Sequence, residues 1–244
     1  MKILVLQHVD CEHPGILRDF MRADGLTWET VELDQGQTIP DVAAYDLMIV
    51  MGGPQDVWQE DEFSWLKPEK QAIRRFVVDL NRPFLGICLG HQLLAEALGG
   101  TVGPARAPEV GVLTVNKTED GKHDPVLGSL SDPITVLQWH GAEVVSLPPG
   151  TVALASSDTC AIQAFRYGDH AYGFQFHVEL TEQTVRDWAS IPAYSSALDR
   201  ALGPGSATRL ETQVNSRLAH FNQDARSVYD GFMARARNAM ENAQ

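Results

Sequence analysis

Short apolar runs alternate with helical patterns through the first half of the chain. Lys2 to Val9 carries an unbroken apolar stretch, as a strand buried on both faces requires. Pro14 suits a helix start, and Ile16, Leu17, Phe20 and Met21 then form an apolar stripe at helical spacing. Thr27 to Leu33 alternates as a strand. Tyr45 to Met51 is a further buried strand, closed by Gly52-Gly53-Pro54. Lys67-Pro68 opens a helix bearing Ile73, Phe76, Val77 and Leu80. Pro83 to Ile87 is a strand that leads directly into a helix from Leu89 to Leu98, capped by Gly99-Gly100. Strands alternating with helices predict a parallel sheet covered on both faces.

The second half changes style. Val110 to Val115, Ile134 to Trp139, Thr151 to Ala155, Ala161 to Arg166 and Tyr172 to Val178 have strand patterns. Their short connections predict antiparallel additions. Helical pattern returns after Thr181. From about Leu202 the chain is separate in character: Gly203-Pro204-Gly205 breaks it, and Thr208 with Glu211 has the spacing of a capping box. Leu210, Val214, Leu218 and Phe221, then Val228, Phe232 and Met240, recur at helical spacing in one long helix or two. This tail has too little apolar material to fold alone, so it is expected to pack on the core or on a partner.

Composition narrows the classes. The 244 residues suffice for one or two domains with a sizeable core. Nineteen Lys and Arg against 32 Asp and Glu leave a net charge of −13, with no basic face for nucleic acid. Cys11, Cys88 and Cys160 cannot build a disulfide framework and suit a reducing compartment. No apolar run is long enough for a membrane span or a signal peptide, so the cytoplasm is the expected location. Neither a G-x-x-x-x-G-K-[ST] loop nor a G-x-G-x-x-G loop occurs, and no cofactor is expected.

Gly86-Ile87-Cys88-Leu89-Gly90 is the stretch richest in chemistry. A buried strand runs into a helix with cysteine at the turn, and glycines two positions to either side permit the crowding of a nucleophile elbow. The elbow holds a side chain at the carboxyl edge of a parallel sheet, where such folds bind ligands. The helix N-terminus is expected to lower the thiol pKa from ~8.5 toward ~3.5–7.5. Such a nucleophile needs a base and a group that orients it. Gly173-Phe174-Gln175-Phe176-His177-Val178-Glu179 alternates, which turns His177 and Glu179 to one face. Gly52 and Gly53 let the backbone approach a substrate, and an N–H there could face an oxyanion.

Gly-Gly-Pro, Gly-Ile-Cys-Leu-Gly-His-Gln and Gly-Phe-Gln-Phe-His-Val-Glu, in this order along the chain, resemble the class I glutamine amidotransferases. Val136-Leu137-Gln138-Trp139-His140-Gly141 and Gln163-Ala164-Phe165-Arg166 add to the likeness, which runs from about Met1 to Ala189 and is strongest toward the amidotransferase domain of GMP synthase. The resemblance implies a flavodoxin-like, doubly wound and mostly parallel α/β sheet, with antiparallel additions and a helical tail. It divides the chain into an amidotransferase-like domain over 1–190 and a helical extension over 191–244. It implies that Cys88 attacks the side-chain amide of L-glutamine or another γ-glutamyl compound, with His177 as proton carrier and Glu179 as its orienting group. By the same resemblance the N–H groups of Gly53 and Leu89 form the oxyanion hole. The resemblance also implies that Gln92, Trp139, His140 and Gly141 bind substrate. Relatives usually carry proline between the histidine and the glutamate. Val178 stands there in this chain, and it keeps the alternation intact. A Ser-Gly-Gly-x-Asp-Ser pyrophosphate loop of the GMP synthase kind is missing, so an ammonia acceptor is expected on another chain, such as a synthetase subunit.

Two rival readings stand beside glutamine hydrolysis. One is a γ-glutamyl peptidase using the same three residues; the other is a regulatory binding module with a dormant site. His8, Cys11 and His13 cluster after the first strand, as metal ligands, pocket lining or solvated loop. Trp58 and Trp65 fall in the long loop after Gly-Gly-Pro, which covers the pocket, meets a partner or simply packs. His140 is either a second imidazole near the thiolate or a structural histidine.

Overall fold

Ile3–Gln7 (β1), Leu47–Val50 (β3) and Phe84–Ile87 (β4) are buried along their whole length, the signature of central strands covered on both sides. The computed structural model describes residues 1–241. Successive residues of these strands enter opposite cores. Ile3, Val5, Leu47 and Ile49 join one cluster, while Leu4, Leu6, Met48 and Val50 join the other. Helix α1 (Leu17–Ala23) covers the first face through Leu17 and Met21. Helices α2 (Leu66–Arg74) and α3 (Leu89–Ala97) cover the second through Leu66, Ile73, Leu93 and Leu94.

The remaining strands are β2 (Trp28–Glu32), β5 (Thr101–Lys117), β6 (Ile134–Ser146), β7 (Thr151–Ser156), β8 (Ala164–Tyr167) and β9 (Ala171–Phe174), with a short helix α4 (Glu119–His123) between β5 and β6. Together they make one nine-stranded sheet in the order β2-β1-β3-β4-β9-β8-β7-β5-β6. The pairings from β2 to β9 are parallel, and those from β9 to β6 are antiparallel. The doubly wound α/β expectation with antiparallel additions therefore holds.

Three local expectations are corrected. β5 and β6 run well beyond the predicted Val110–Val115 and Ile134–Trp139. Gly103, Pro104 and Pro108 obscure the strand pattern, and the register shifts between Pro104 and Glu109 to accommodate them. Conversely, the strand predicted to reach Val178 ends at Phe174. There the chain leaves its neighbours: Gln175 N–H donates to Gln163 O, and His177 N–H to Leu137 O. Thr208 does not cap a helix, because the helix begins earlier, at Ser206 after Gly205 in left-handed backbone.

The C-terminal helices are α5 (Thr184–Ala189), α6 (Pro192–Leu202), α7 (Ser206–Asn215) and α8 (Leu218–Glu241). The tail thus forms two helices after the Gly-Pro-Gly break. α8 packs on the sheet beside α1, with Val228, Phe232 and Met233 in the same cluster as Ile3 and Val5. α5, α6 and α7 close a third cluster around Trp139, Trp188 and Tyr194. Among the described residues no helix is long and apolar enough to cross a membrane.

Candidate active site

Parallel strands end together at one edge, and each delivers a piece of the site. β4 ends at Ile87 and α3 begins at Leu89, so Cys88 alone turns the chain. Its backbone sits at φ 52°, ψ −104°. A non-glycine residue holds such a conformation only where the surroundings impose it. The flanking glycines are sterically required. A Cβ at Gly86 would fall 2.4 Å from Gly90 O, and one at Gly90 would fall 2.1 Å from Val50 O. Cys88 N–H donates to Phe174 O at 2.8 Å and Gly90 N–H to Met51 O at 3.1 Å, which ties the turn to the strands on both sides. The result has the geometry of a nucleophile elbow.

His177 and Glu179 follow β9. His177 Nδ1 lies 2.8 Å from Glu179 Oε1, and Glu179 Oε2 accepts from Val178 N–H at 2.9 Å. Both side chains are buried, and Trp188 packs edge-on against the imidazole at 4.4 Å between ring centres. His177 Nε2 has no hydrogen-bond partner among the described residues. Burial opposes charge on His177, but Glu179 and Cys88 outweigh it and raise the imidazole well above its ordinary value. Burial pushes the Cys88 thiol up, and the pull of His177 offsets this only in part. The thiol lowered by its helix N-terminus, expected from sequence, is corrected: desolvation dominates.

A pocket of about 890 Å³ opens over Cys88, and Gly53, Leu89, Gln92, Trp139, His140 and Gly141 all line it. The N–H groups of Gly53 and Leu89 have no acceptor among the described residues. Gln92 Nε2 donates to Ala142 O and Gln175 Oε1, at 3.1 and 3.0 Å, which leaves its carbonyl oxygen for a ligand. Trp139 packs against Trp188 and Tyr194 with its indole N–H buried and unpartnered. His140 is structural: Nδ1 faces Ala142 O at 2.9 Å and Nε2 faces Glu109 Oε2 at 3.0 Å, so neither nitrogen is open to the thiol.

Sequence reasoning missed Glu12, Gln175 and Tyr194. Gln175 lies 3.7 Å from Cys88 Sγ through its amide nitrogen, and its place two residues before His177 was a usable signal. Glu12 is buried, and the hydroxyl of Tyr194 donates to its Oε1 at 2.5 Å. Burial raises the Glu12 carboxyl, against the pull of His177. Glu12 and Glu179 meet here from distant parts of the sequence and leave no local pattern to find. Glu12, His177 and Glu179 each bring a ligand-capable atom within 4.8 Å of the others. His177 Nδ1, both Glu179 oxygens and Glu12 Oε1 are already hydrogen-bonded within the protein.

The His8, Cys11 and His13 cluster does not assemble. His8 turns inward to Glu69 and Gly52, while His13 turns to Arg18 and the Gly15 N–H. Burial pushes the Cys11 thiol up to about 12. Trp58 is exposed, whereas Trp65 stacks on His8.

The chain is similar in sequence or in fold to known proteins. The glutamine amidotransferase-like protein YfeJ of Salmonella typhimurium is 31% identical over 189 residues, covering 76% of this chain and 78% of its own. One subunit of the glutamine-hydrolyzing GMP synthase of Sulfolobus acidocaldarius is 37% identical over 153 residues, covering 62% of this chain and 77% of its own. The crystal structure of a glutamine amidotransferase from Thermotoga maritima superposes with a TM-score of 0.83 at 28% identity, covering 95% of this chain and 97% of that one. The family model for glutamine amidotransferase class I matches residues 9–187, and the chain belongs to that family.

Proposed function

We propose that the protein hydrolyses the side-chain amide of glutamine by thiol acyl transfer, with Cys88 as nucleophile. The observation that carries this reading is the strained Cys88 turn beside a buried His177–Glu179 pair whose outer nitrogen is unpartnered. Cys88 transfers its proton to His177 Nε2 and attacks the γ-carbonyl carbon. The oxyanion that forms accepts from Gly53 and Leu89 N–H. Removal of one such donor typically costs ~10²–10³ in rate. On collapse, His177 returns the proton to the departing ammonia, leaving a γ-glutamyl thioester. Water then gives a proton to His177 and attacks the thioester, and glutamate leaves as Cys88 is reprotonated. Glu179 orients the ring and stabilises its charged form throughout. Gln92 Oε1 and the Trp139 to Gly141 strand hold the substrate.

Ammonia produced this way goes to an acceptor on another chain. The Sulfolobus relative, named as one subunit of GMP synthase, supports a synthetase partner of that general kind. A γ-glutamyl peptide is the second substrate reading. A pocket of about 890 Å³ has room for a leaving group larger than ammonia.

The test is glutamate release from L-glutamine by the purified protein, run beside a γ-glutamyl dipeptide and a Cys88→Ala control. Glutamine cleavage that vanishes in the control supports the amidase reading, and cleavage of the dipeptide alone supports the peptidase. If neither is cleaved and a glutamine-like electrophile fails to label Cys88, the mechanism is wrong and a binding module takes its place.

A further inference from the structure

Two consecutive glycines make a poor platform for an oxyanion donor. The peptide between Gly52 and Gly53 is flanked by two freely rotating backbone angles, with no side chain to restrain either. Position 52 is nonetheless tight: a Cβ there would fall 2.4 Å from Glu12 Oε2, so the buried Glu12 carboxyl would have to shift. Position 53 is crowded as well, with a Cβ meeting His8 Cβ at 2.8 Å and Leu89 Cδ2 at 2.9 Å. Something outside the pair must fix the plane of this peptide.

His8 is placed to do so. Its Nδ1 lies 2.8 Å from Gly52 O, and its Nε2 lies 2.9 Å from Glu69 Oε1. His8 and Glu69 are both fully buried. Trp65 stacks on the His8 ring, 5.2 Å between centres and 22° from parallel. A carbonyl oxygen only accepts, so Nδ1 carries a hydrogen. The other nitrogen shares a proton with the Glu69 carboxyl. The carbonyl of Gly52 and the N–H of Gly53 belong to one planar trans unit and point in opposite directions. Holding the first therefore aims the second.

We infer that Glu69 and His8 form a second carboxylate–imidazole relay, which positions the Gly53 N–H as oxyanion donor by gripping the Gly52 carbonyl from behind. Both act through the backbone and are positioning residues that never touch substrate. Donation into Gly52 O also polarises the peptide, which strengthens its N–H as a donor. Burial alone would push the His8 imidazole down, but Glu69 and the Gly52 carbonyl hold it above its ordinary value, consistent with a strong donor. The inference rests on the oxyanion role given to Gly53 above.

The experiment compares wild type, His8→Leu and His8→Asn. The asparagine amide nitrogen lies near the position of Nδ1 and can still donate to Gly52 O; leucine cannot. Two rates are measured on each preparation: glutamine hydrolysis, and alkylation of Cys88 by iodoacetamide, which forms no oxyanion. The expected result is a ~10²–10³-fold fall in kcat for His8→Leu with KM nearly unchanged. His8→Asn recovers at least tenfold of that loss, and alkylation stays within about twofold in all three. Equal hydrolysis by His8→Leu and wild type overturns the relay. So does a parallel fall in alkylation, or an asparagine variant no better than leucine. If the wild type cleaves neither glutamine nor a γ-glutamyl dipeptide, the functional reading fails separately. The relay is then read in the Gly53 amide NMR signal, which it requires to move in His8→Leu and hold in His8→Asn; a signal unmoved in both overturns it.

Discussion

Two of the buried histidine–glutamate pairs of this protein are built alike and engaged differently. At one, His177 Nδ1 meets Glu179 at 2.8 Å; at the other, His140 Nε2 meets Glu109 at 3.0 Å. The difference lies in the second ring nitrogen. His140 Nδ1 is engaged with Ala142 O, while His177 Nε2 has no partner and lies beside Cys88. An imidazole with both nitrogens on protein oxygens is a strut. One with a nitrogen left over can exchange a proton. The same count makes His8 a strut, since Gly52 O and Glu69 take both of its nitrogens. A buried His–Glu contact therefore does not by itself suit an imidazole to carry a proton; a ring nitrogen left free beside the thiol is needed as well.

The sharpest way to break this contrast is to remove each imidazole. His177→Ala is expected to cut kcat for glutamine hydrolysis by roughly 10⁴–10⁶-fold, as loss of a triad base does elsewhere. Steady-state kinetics on folded protein checks it, and a loss below tenfold would remove His177 from the chemistry. Glu179→Gln is a finer cut. The carboxylate accepts from His177 on one oxygen and from Val178 N–H on the other. An amide has one acceptor for those two donors. If it satisfies Val178, its NH₂ faces Nδ1 and forces the proton onto Nε2, where a base needs its lone pair. The expected loss is ~10²–10⁴ in kcat with little change in KM.

His140→Ala should read out differently. It leaves Glu109 buried without one of its donors, and breaking such a pair typically costs about 3–5 kcal/mol. For a chain of this size, that lowers Tm by roughly 6–20 °C. Calorimetry measures it, and the strut assignment fails if Tm holds while kcat per folded molecule collapses.

Sequence carried one of these corners and not the other, for a physical reason. His177 and Glu179 stand two apart, and Cys88 sits between glycines whose absence of a Cβ the turn demands, so local pattern exposed them. Glu109 lies 31 positions from His140, and Glu69 lies 61 from His8. Only the folded sheet brings those partners together. The parallel strands were legible because burial on both faces leaves unbroken apolar runs, as in Ile3–Leu6. β5 was half hidden, since its first part is exposed and interrupted by Gly103, Pro104 and Pro108. The end of the β9 segment is hidden in the sequence because His177 keeps strand-like alternation while bonding to Leu137 on a different neighbour.

The smallest expected effect concerns the Glu109 corner as a function of pH. Burial pushes the Glu109 carboxyl up, but hydrogen bonds from His140, Ser157 and Thr159 outweigh it and hold it down to about 2, against an ordinary value of 4.5. A carboxyl lowered on folding stabilises the protein above its unfolded value, and that contribution is lost as pH falls through its folded value. Glu109→Gln keeps one acceptor for Ser157 and Thr159 but turns an NH₂ toward His140 and Gln163, which both approach the second oxygen. At neutral pH the variant should be less stable by about 1–3 kcal/mol, the usual range for hydrogen bonds to a charged group. The gap in Tm between wild type and variant should be constant above pH 4.5 and shrink as pH drops toward 2, where the wild-type carboxyl also carries a proton. Thermal melts across that interval decide it. A gap that does not change with pH would mean that the carboxylate charge contributes nothing to this corner and that Glu109 acts there by shape alone.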